Sequence, residues 1–411
     1  MKLPKPCILP DKILLNLLPF LPKFWYAMCL IFANDGFMMN WKAYAKWASA
    51  TLFSVLIIGC SSKPTSQTSS IAGIYAENAK LGAIYQNRQV MPSYMNFARV
   101  QAVENKQPIV NGRDFISQLN YVRSYSSRIT GSYAGVYSKV QRWVDAGANV
   151  NDLAKYGINI NLMRGKDGYQ NVAFTGYYAP VLQARRTPQG DFQHPLYSLP
   201  SSNKRFTRAQ IYNGVLAGRG LEIAYSNSMV DNFFLGVQGS GFIDFGEGRL
   251  SHVAYAGQNG FKYASVGRLL VEDGEIPKEK MSAQAIKDWA KRNPSRAQSL
   301  LERNPSYVFF RFDDTNDVKG SAGVPLVALA SVASDKSIVP SGSVLLVEMP
   351  LIDNQGNWTG KHEMRLMVAL DVGGAVKGHH FDIYQGIENA NNKVAQTAGL
   401  LKHFGRVWVL N

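Results

Sequence analysis

The chain has 411 residues, of which 46% are apolar and 18% charged, so it can bury a substantial core, and wholesale disorder is disfavoured. Its formal net charge of +15 fits either an anionic partner or simple solubility. No basic run or nucleic-acid-binding signature accompanies that charge, so we expect no nucleic-acid partner. The three cysteines, Cys7, Cys29 and Cys60, all lie in the first 60 residues. A disulfide framework and a cysteine-based zinc site are therefore excluded.

The region before Cys60 has the layout of a secretion signal. Residues 39–59 combine two lysines with an apolar stretch, 48–58, that is too short to span a bilayer comfortably. The stretch ends in Ile57-Ile58-Gly59-Cys60, which resembles the lipobox of bacterial lipoproteins. We therefore expect 39–59 to be a lipoprotein signal peptide and Cys60 to be lipidated. Ser61, which is not an aspartate, resembles the residue that directs such lipoproteins to the outer membrane, facing the periplasm.

Residues 1–38 do not fit this layout, because their apolar stretch is broken by two prolines and a lysine. Met1, Met38 and Met39 are all candidate starts. We interpret Met39 as the true start and residues 1–38 as an artefact upstream of it. Residues 60–78 begin with many serines, threonines, lysines and glutamines, and we expect them to form a tether.

From residue 79 onward, a few helical patterns are followed by many strand-like segments. Apolar spacing predicts helices over 115–122 and 136–144, and two more helices separated by Asn293-Pro294, the second opened by a capping box at 295–298. Strands are predicted at 171–178, 223–225, 234–238, 242–245, 308–310, 344–347, 366–370 and 407–409. The fold class is therefore mainly β, expected to comprise a closed barrel and a second β domain with a few short helices.

The segment 370–384, which reads LDVGGAVKGHHFDIY, carries the strongest candidate for chemistry. Its glycines allow a tight turn between two strands. In the second strand, alternation directs Phe381 and Ile383 to the core and Asp382 to the opposite face, among aromatic neighbours. Such surroundings raise the pKa of a carboxyl group, which a general acid at neutral pH requires. From these residues alone, a hydrogen-bonded structural aspartate is the alternative for Asp382.

Motifs along nearly all of residues 60–411 resemble, in order and spacing, those of the membrane-bound lytic murein transglycosylase A family. Three C-terminal segments resemble the three-aspartate module of that family: Ala333-Ser334-Asp335-Lys336-Ser337-Ile338, Leu370-Asp371-Val372-Gly373-Gly374 with Lys377-Gly378, and His380-Phe381-Asp382-Ile383-Tyr384. Earlier segments resemble it too: Phe174-Thr175-Gly176-Tyr177-Tyr178, Ala224-Tyr225-Ser226-Asn227-Ser228 and Val237-Gln238-Gly239-Ser240-Gly241.

This resemblance implies a double-psi β-barrel domain formed by both chain ends, residues 79–178 and 311–411. A second β domain, residues 179–310, would be inserted between them. A groove between the two domains would then hold a glycan.

The resemblance also implies roles for individual residues. Asp382 would be the catalytic acid, with Asp371 and Asp335 as supporting groups. Five residues map to motifs that we expect along the groove as substrate-binding residues: Thr175, Tyr177, Tyr178, Gln238 and Ser240. Ordinary strand packing or turn structure is the alternative for these five.

The implied function is that of a lytic transglycosylase. Such an enzyme cleaves the β-1,4 bond between N-acetylmuramic acid and N-acetylglucosamine of peptidoglycan without water and leaves 1,6-anhydromuramic acid ends. A single carboxyl group suffices for this reaction, whereas a hydrolase usually needs two. The implied partners are peptidoglycan glycan strands, the outer membrane through the lipid anchor, and murein synthases. No cofactor is expected.

Three other functions are compatible with part of the sequence. A non-catalytic peptidoglycan-binding lipoprotein would use the same groove. An aspartic protease is loosely suggested by Asp371-Val372-Gly373-Gly374, but the second motif of that class is missing. A metal site is disfavoured, because His379 and His380 are adjacent and so face opposite sides of a strand, and no His-Glu-x-x-His motif occurs.

Overall fold

The structure, a computed structural model, describes residues 66–201, 205–388 and 398–411. The upstream segment 1–38, the signal peptide 39–59 and the lipidated Cys60 are predictions that lie outside the described residues. The predicted tether, 60–78, is helical from Ser66 onward, which its polar beginning did not indicate. Across the described ranges, no helix is long and apolar enough to cross a membrane.

Strands make up most of the regular structure after residue 150. In chain order the strands are β1 (Phe97–Val100), β2 (Ile160–Met163), β3 (Val172–Ala179), β4 (Val181–Arg185), β5 (His194–Tyr197), β6 (Glu222–Ser226), β7 (Gly241–Asp244), β8 (Leu250–Gln258), β9 (Val308–Asp313), β10 (Ser331–Ala333), β11 (Val344–Ile352), β12 (Trp358–Asp371), β13 (His380–Ile387) and β14 (Lys402–Leu410). The α-helices are α1 (Ser66–Lys80), α2 (Gly112–Tyr125), α3 (Ser127–Asp145), α4 (Arg208–Tyr212), α5 (Met229–Gln238), α6 (Val266–Glu272), α7 (Ala283–Arg292) and α8 (Pro294–Glu302). In the same described ranges, short 3-10 helices occur at Val150–Tyr156 and Lys278–Lys280.

Six strands close into a barrel in the order β14-β11-β12-β10-β13-β3, because β14 also pairs with β3. The pairs β12–β10 and β13–β3 are parallel, and the other four are antiparallel. Strands β2 and β1 extend the sheet outward from β14. The barrel thus joins β3 from the first half of the chain to five strands from its C-terminal end, which confirms the predicted fold class.

Strand β11 and the second half of β12 are buried on both faces, which explains why they read as continuous apolar runs. In β11, Leu345 and Val347 pack inside the barrel with Phe174. The alternate residues, Val344 and Leu346, pack outside against α2 and α3. Each such side chain contributes about 1.5–3 kcal/mol when it is removed from water.

The second sheet, in the order β5-β6-β4-β7-β8-β9, is formed entirely between β3 and β10 in the chain. Its strands extend from Val181 to Asp313, and α4 to α8 lie within the same stretch of sequence. A second β domain inserted between the two parts of the barrel is therefore present. Since β3 ends only two residues before β4 begins, this strand leads directly from the barrel into the second sheet.

The predicted strand at 234–238 is wrong, because these residues form the end of α5. Ser228 caps this helix by accepting a hydrogen bond from the backbone of Asp231, and Gly239 ends it in a left-handed conformation. Phe233 packs against the other helices, whereas Leu235 packs against the sheet. A short helix with apolar contacts on two sides cannot be distinguished from a buried strand by its pattern.

The boundary between the last two helices also differs from the prediction. The expected capping box at 295–298 is wrong, because the helix begins at Pro294, two residues before the start that Ser295 as N-cap would give. Proline suits the first position of a helix, since its fixed φ is helical and no intrahelical partner is needed for its nitrogen. Asn293 precedes it as the N-cap and makes no side-chain capping hydrogen bond.

Candidate active site

Four neighbouring barrel strands bring the candidate residues together. Asp371, at the end of β12, is in register with Ala333 of β10, and Ala333 is in register with Asp382 of β13. Asp382 is in turn in register with Thr175 of β3. Side chains at paired positions of adjacent strands project from the same face of a sheet. Asp371, Asp382 and Thr175 therefore share one face, with only the small side chain of Ala333 between the two carboxyl groups.

Asp382 has few polar contacts and largely apolar surroundings. The hydroxyl of Thr175 donates to its Oδ1 at 2.7 Å. Around it, Tyr384 and Ala333 belong to a buried apolar cluster that also includes Val376. Burial raises the pKa of Asp382 to about 6, the Thr175 bond opposes that rise, and the charge of Asp371 adds to it. The protonated form of Asp382 therefore predominates below about pH 6 and is still about a tenth of the population at pH 7.

Asp371 accepts more hydrogen bonds than Asp382. The backbone amides of Ser321 and Val372 each donate to its Oδ1 at 2.8 Å. The hydroxyl of Tyr177 donates to its Oδ2 at 3.0 Å. Burial raises the pKa of Asp371, and these donors oppose that rise. Three donors stabilise a carboxylate better than one, so we assign the negative charge to Asp371 and the proton to Asp382.

Asp335 is not part of this carboxyl pair. Its Oδ1 accepts hydrogen bonds from the hydroxyl of Ser337 at 2.6 Å and from the backbone of the same residue at 3.1 Å, while its Oδ2 accepts one from the backbone of Gly378 at 2.9 Å. These bonds, with that of the Ser337 hydroxyl foremost, lower the pKa of Asp335 to about 2. Gly378 has a φ of +67° and forms the turn before β13. Asp335 thus ties the segment after β10 to the turn that leads to Asp382.

His380 lies beside Asp382, although the sequence had suggested no role for it. Its Nε2 is 2.8 Å from the hydroxyl oxygen of Thr175. Burial lowers the pKa of His380, and a hydrogen bond with the backbone of Ala375 opposes that effect. The ring is therefore neutral near neutral pH. The one signal in the sequence was strand alternation, which places residues 380 and 382 on the same face.

The neighbouring His379 points elsewhere, as expected for adjacent residues of a strand. Its Nε2 lies 3.0 Å from the side-chain oxygen of Asn96. In the ranges that the structure describes, no group of three or more histidine, cysteine, aspartate or glutamate side chains could hold a metal ion.

The other predicted substrate-binding residues divide into two sets. Tyr177 is only 9% exposed, and its ring packs against that of Tyr384 with centroids 5.3 Å apart. Tyr178 is half-buried, and its backbone amide donates to Oε1 of Gln238 at 3.0 Å. Gln238 ends α5, and Ser240 follows it just before β7. Tyr178, Gln238 and Ser240 are therefore grouped where the barrel leads into the second sheet.

Family models match two parts of the chain. The MltA specific insert domain matches residues 173–311, and the 3D domain matches residues 330–411, a range that contains all three candidate aspartates. Membrane-bound lytic murein transglycosylase A of Escherichia coli strain K12 is 46% identical over 358 residues, which cover 86% of this chain and 92% of that protein. The protein of the same name from Vibrio cholerae is 40% identical over 358 residues, with the same coverage.

Solved structures agree with these sequence matches. The crystal structure of E. coli MltA with bound chitohexaose is similar to this chain with a TM-score of 0.76 and 46% identity, covering 81% of this chain and 98% of that one. A second crystal structure of E. coli MltA, described as a unique lytic transglycosylase fold, gives a TM-score of 0.65 with the same identity and coverage.

Proposed function

This chain belongs to the family of membrane-bound lytic murein transglycosylase A, and we propose that Asp382 is its single catalytic acid and base. The enzyme is a lytic transglycosylase that acts on peptidoglycan. The observation that carries the assignment of Asp382 is the difference between the two neighbouring carboxyl groups: among the described residues, Asp371 accepts three hydrogen bonds, whereas Asp382 accepts one in apolar surroundings. Such a pair, with its protonation states pushed apart, suits acid–base chemistry.

In the first step, Asp382 donates its proton to the oxygen that bridges N-acetylmuramic acid and N-acetylglucosamine. The bond from this oxygen to C1 of the muramic residue breaks, and positive charge develops at C1. A pKa of about 6 leaves Asp382 acidic enough to protonate the leaving oxygen, and about a tenth of the enzyme still holds this proton at pH 7. The negative charge on Asp371 favours the cationic character of this transition state.

In the second step, the Asp382 carboxylate takes the proton from the C6 hydroxyl of the same muramic residue. The C6 oxygen then bonds to C1, which closes the 1,6-anhydro ring and restores the protonated acid. No water is consumed. Since the nucleophile belongs to the substrate itself, its effective concentration is far above that of a free molecule.

The supporting residues have separate tasks in this proposal. Asp371 holds the charge, and Tyr177, predicted as a glycan contact, instead holds Asp371 through its buried hydroxyl. Asp335 positions the turn before β13. Among the predicted groove residues, Gln238 uses its carbonyl on the backbone of Tyr178, which leaves its amide group to donate to a sugar hydroxyl or acetamido oxygen.

The protein associates with a membrane, and we propose that a lipid on Cys60 anchors it in the outer membrane, facing the periplasm. The lipobox-like quartet before Cys60 supports this assignment. Cys60→Ser should release a soluble periplasmic form that still cuts glycan strands. An unmodified N-terminus in the intact mass of the wild-type protein would contradict it. Murein synthases are candidate protein partners, because they build the same strands, and co-purification from cross-linked envelopes tests this.

Clearing of purified sacculi by the protein tests the catalytic assignment. Asp382→Asn keeps the volume of the side chain but cannot donate and retake a proton, so activity should fall by orders of magnitude. Asp335→Asn is the matched control, since it makes the same chemical change in the same module and should reduce activity far less. Retention of more than about a tenth of wild-type activity by Asp382→Asn would refute the assignment. Binding of sacculi by the wild type without clearing would favour the non-catalytic alternative.

A further inference from the structure

Thr175 lies between two groups that compete for its single proton. Its hydroxyl oxygen is 2.7 Å from Oδ1 of Asp382 and 2.8 Å from Nε2 of His380. A threonine hydroxyl can donate one hydrogen bond and can accept others. At any moment it can therefore donate to Asp382 or to His380, but not to both.

We propose that Thr175 and His380 form a two-position hydrogen-bond switch that lets Asp382 act first as an acid and then as a base within one turnover. The proposal rests on the catalytic role of Asp382 given above. Thr175 acts as a rotor, and His380 is a positioning residue that acts on Asp382 through Thr175.

Before the glycan binds, the protonated Asp382 donates to the oxygen of Thr175. When the glycan is bound, the same O–H group of Asp382 turns to the bridging oxygen, which it then protonates. The Thr175 hydroxyl donates to Nε2 of His380, and the other ring nitrogen of His380 carries its proton toward the backbone of Ala375. This arrangement requires a neutral His380, which its burial favours. Each hydrogen-bond donor of Asp382, Thr175 and His380 then has an acceptor, and Thr175 donates no hydrogen bond to Asp382.

After Asp382 has given its proton to the bridging oxygen, its carboxylate requires a donor. The Thr175 hydroxyl rotates about its C–O bond and donates to Oδ1 of Asp382, so that Nε2 of His380 loses its donor. When Asp382 takes the proton from the C6 hydroxyl, Thr175 rotates back to His380. No proton is gained or lost by Thr175 or His380, so the cycle balances.

Other groups on the surrounding strands do not replace this switch. Asp371 on β12 is held by its own three donors, and Tyr177 on β3 is one of them. Tyr384 on β13 belongs to the apolar cluster, and β10 contributes no titratable side chain beside Asp382. Lys402 of β14 is in register with Thr175, but its ammonium group donates to the backbone of Met281 at 2.5 Å.

The dependence of kcat/KM on pH, measured with wild type and three variants on solubilised glycan strands, tests the switch. Thr175→Val removes the donor to the Asp382 carboxylate, so the alkaline limb should move to higher pH by about one unit. His380→Leu removes the competing acceptor, so Thr175 donates to Asp382 throughout, and the limb should move to lower pH by a similar amount. His380→Gln should restore the wild-type limb, because its amide oxygen can accept in place of Nε2.

Shifts of opposite sign, with rescue by His380→Gln, would support the proposal. A limb that stays in place in His380→Leu, or shifts in the same direction as in Thr175→Val, would overturn it and leave His380 a purely structural residue. Thermal unfolding of each variant verifies that it is folded. If His380→Leu does not fold, the His380→Gln limb and an NMR titration of labelled Asp382 in Thr175→Val and Thr175→Ser decide the question. Activity in Asp382→Asn would instead refute the proposed function, whatever these limbs show.

Discussion

Replacement of Asp382 by asparagine should stabilise the folded protein at neutral pH while it removes activity. The wild-type carboxyl loses hydration in the fold, which raises its pKa to about 6. In the unfolded chain, the same group titrates near its ordinary value of 3.8. Above the folded-state pKa, the native protein must therefore hold a partly buried charge that the unfolded chain holds in water.

The sign and size of the effect follow from proton linkage. A raised carboxyl pKa contributes stability that is fully present below about pH 4 and is lost as the pH rises through about 6. With 1.36 kcal/mol for each pKa unit, the loss is about 3 kcal/mol. Asparagine cannot ionise, so Asp382→Asn should be more stable than wild type by about 3 kcal/mol at pH 7.5, and this difference should vanish near pH 4.

Urea unfolding of the soluble form, followed by tryptophan fluorescence at several pH values, measures this difference. Asp335→Asn is again the control, because hydrogen bonds lower the pKa of Asp335 to about 2. That depressed pKa contributes stability that is present above about pH 4 and is lost as the pH falls through 2, so this control should show no gain at neutral pH. A difference between Asp382→Asn and wild type that does not change between pH 4 and pH 7.5 would refute the reasoning.

Two further predictions concern the neighbours of the site and the barrel core. Tyr177→Phe removes one hydrogen-bond donor from Asp371, so the carboxylate form of Asp371 becomes less stable. Less negative charge beside Asp382 lowers its pKa, so the alkaline limb of the pH–activity profile should move to lower pH. An unchanged limb would contradict a role for Tyr177 in stabilising the Asp371 charge. Arg406 donates to both carboxylate oxygens of the buried Glu348, so Arg406→Met should cost about 3–5 kcal/mol in urea unfolding, and a double variant with Glu348→Met should recover most of that loss.

The architecture could be predicted from the sequence where the local pattern has one physical cause. Strands 344–347 and 366–370 read as apolar runs because the barrel buries both of their faces. Alternation alone also directed Asp382 away from the core residues Phe381 and Ile383, which are buried as expected. The strand predicted at 234–238 failed because tertiary packing on two sides of α5 gave a helix the pattern of a strand.

The arrangement of the site could not be predicted in the same way. Thr175 meets Asp382 and His380 only because β3 pairs with β13, which follows about 200 residues later, and periodicity does not encode which strands pair. The different environments of Asp371 and Asp335 likewise depend on donors from distant turns. Resemblance grouped the three aspartates as one module, whereas their hydrogen bonds differ: Asp382 accepts a single described one, Asp371 accepts several, and Asp335 accepts one from the turn before β13.

The fate of water in the reaction tests the central claim, that one carboxyl group serves as both acid and base. Sacculi are digested with the wild-type protein in oxygen-18 water, and the products are identified by mass spectrometry. If the C6 hydroxyl is the nucleophile, the strands should end in unlabelled 1,6-anhydromuramic acid. Reducing ends that carry one heavy oxygen as the main product would show that water attacks C1. A hydrolase of that kind would need a second carboxylate as general base, and Asp371 would take that role in place of Asp382 acting alone.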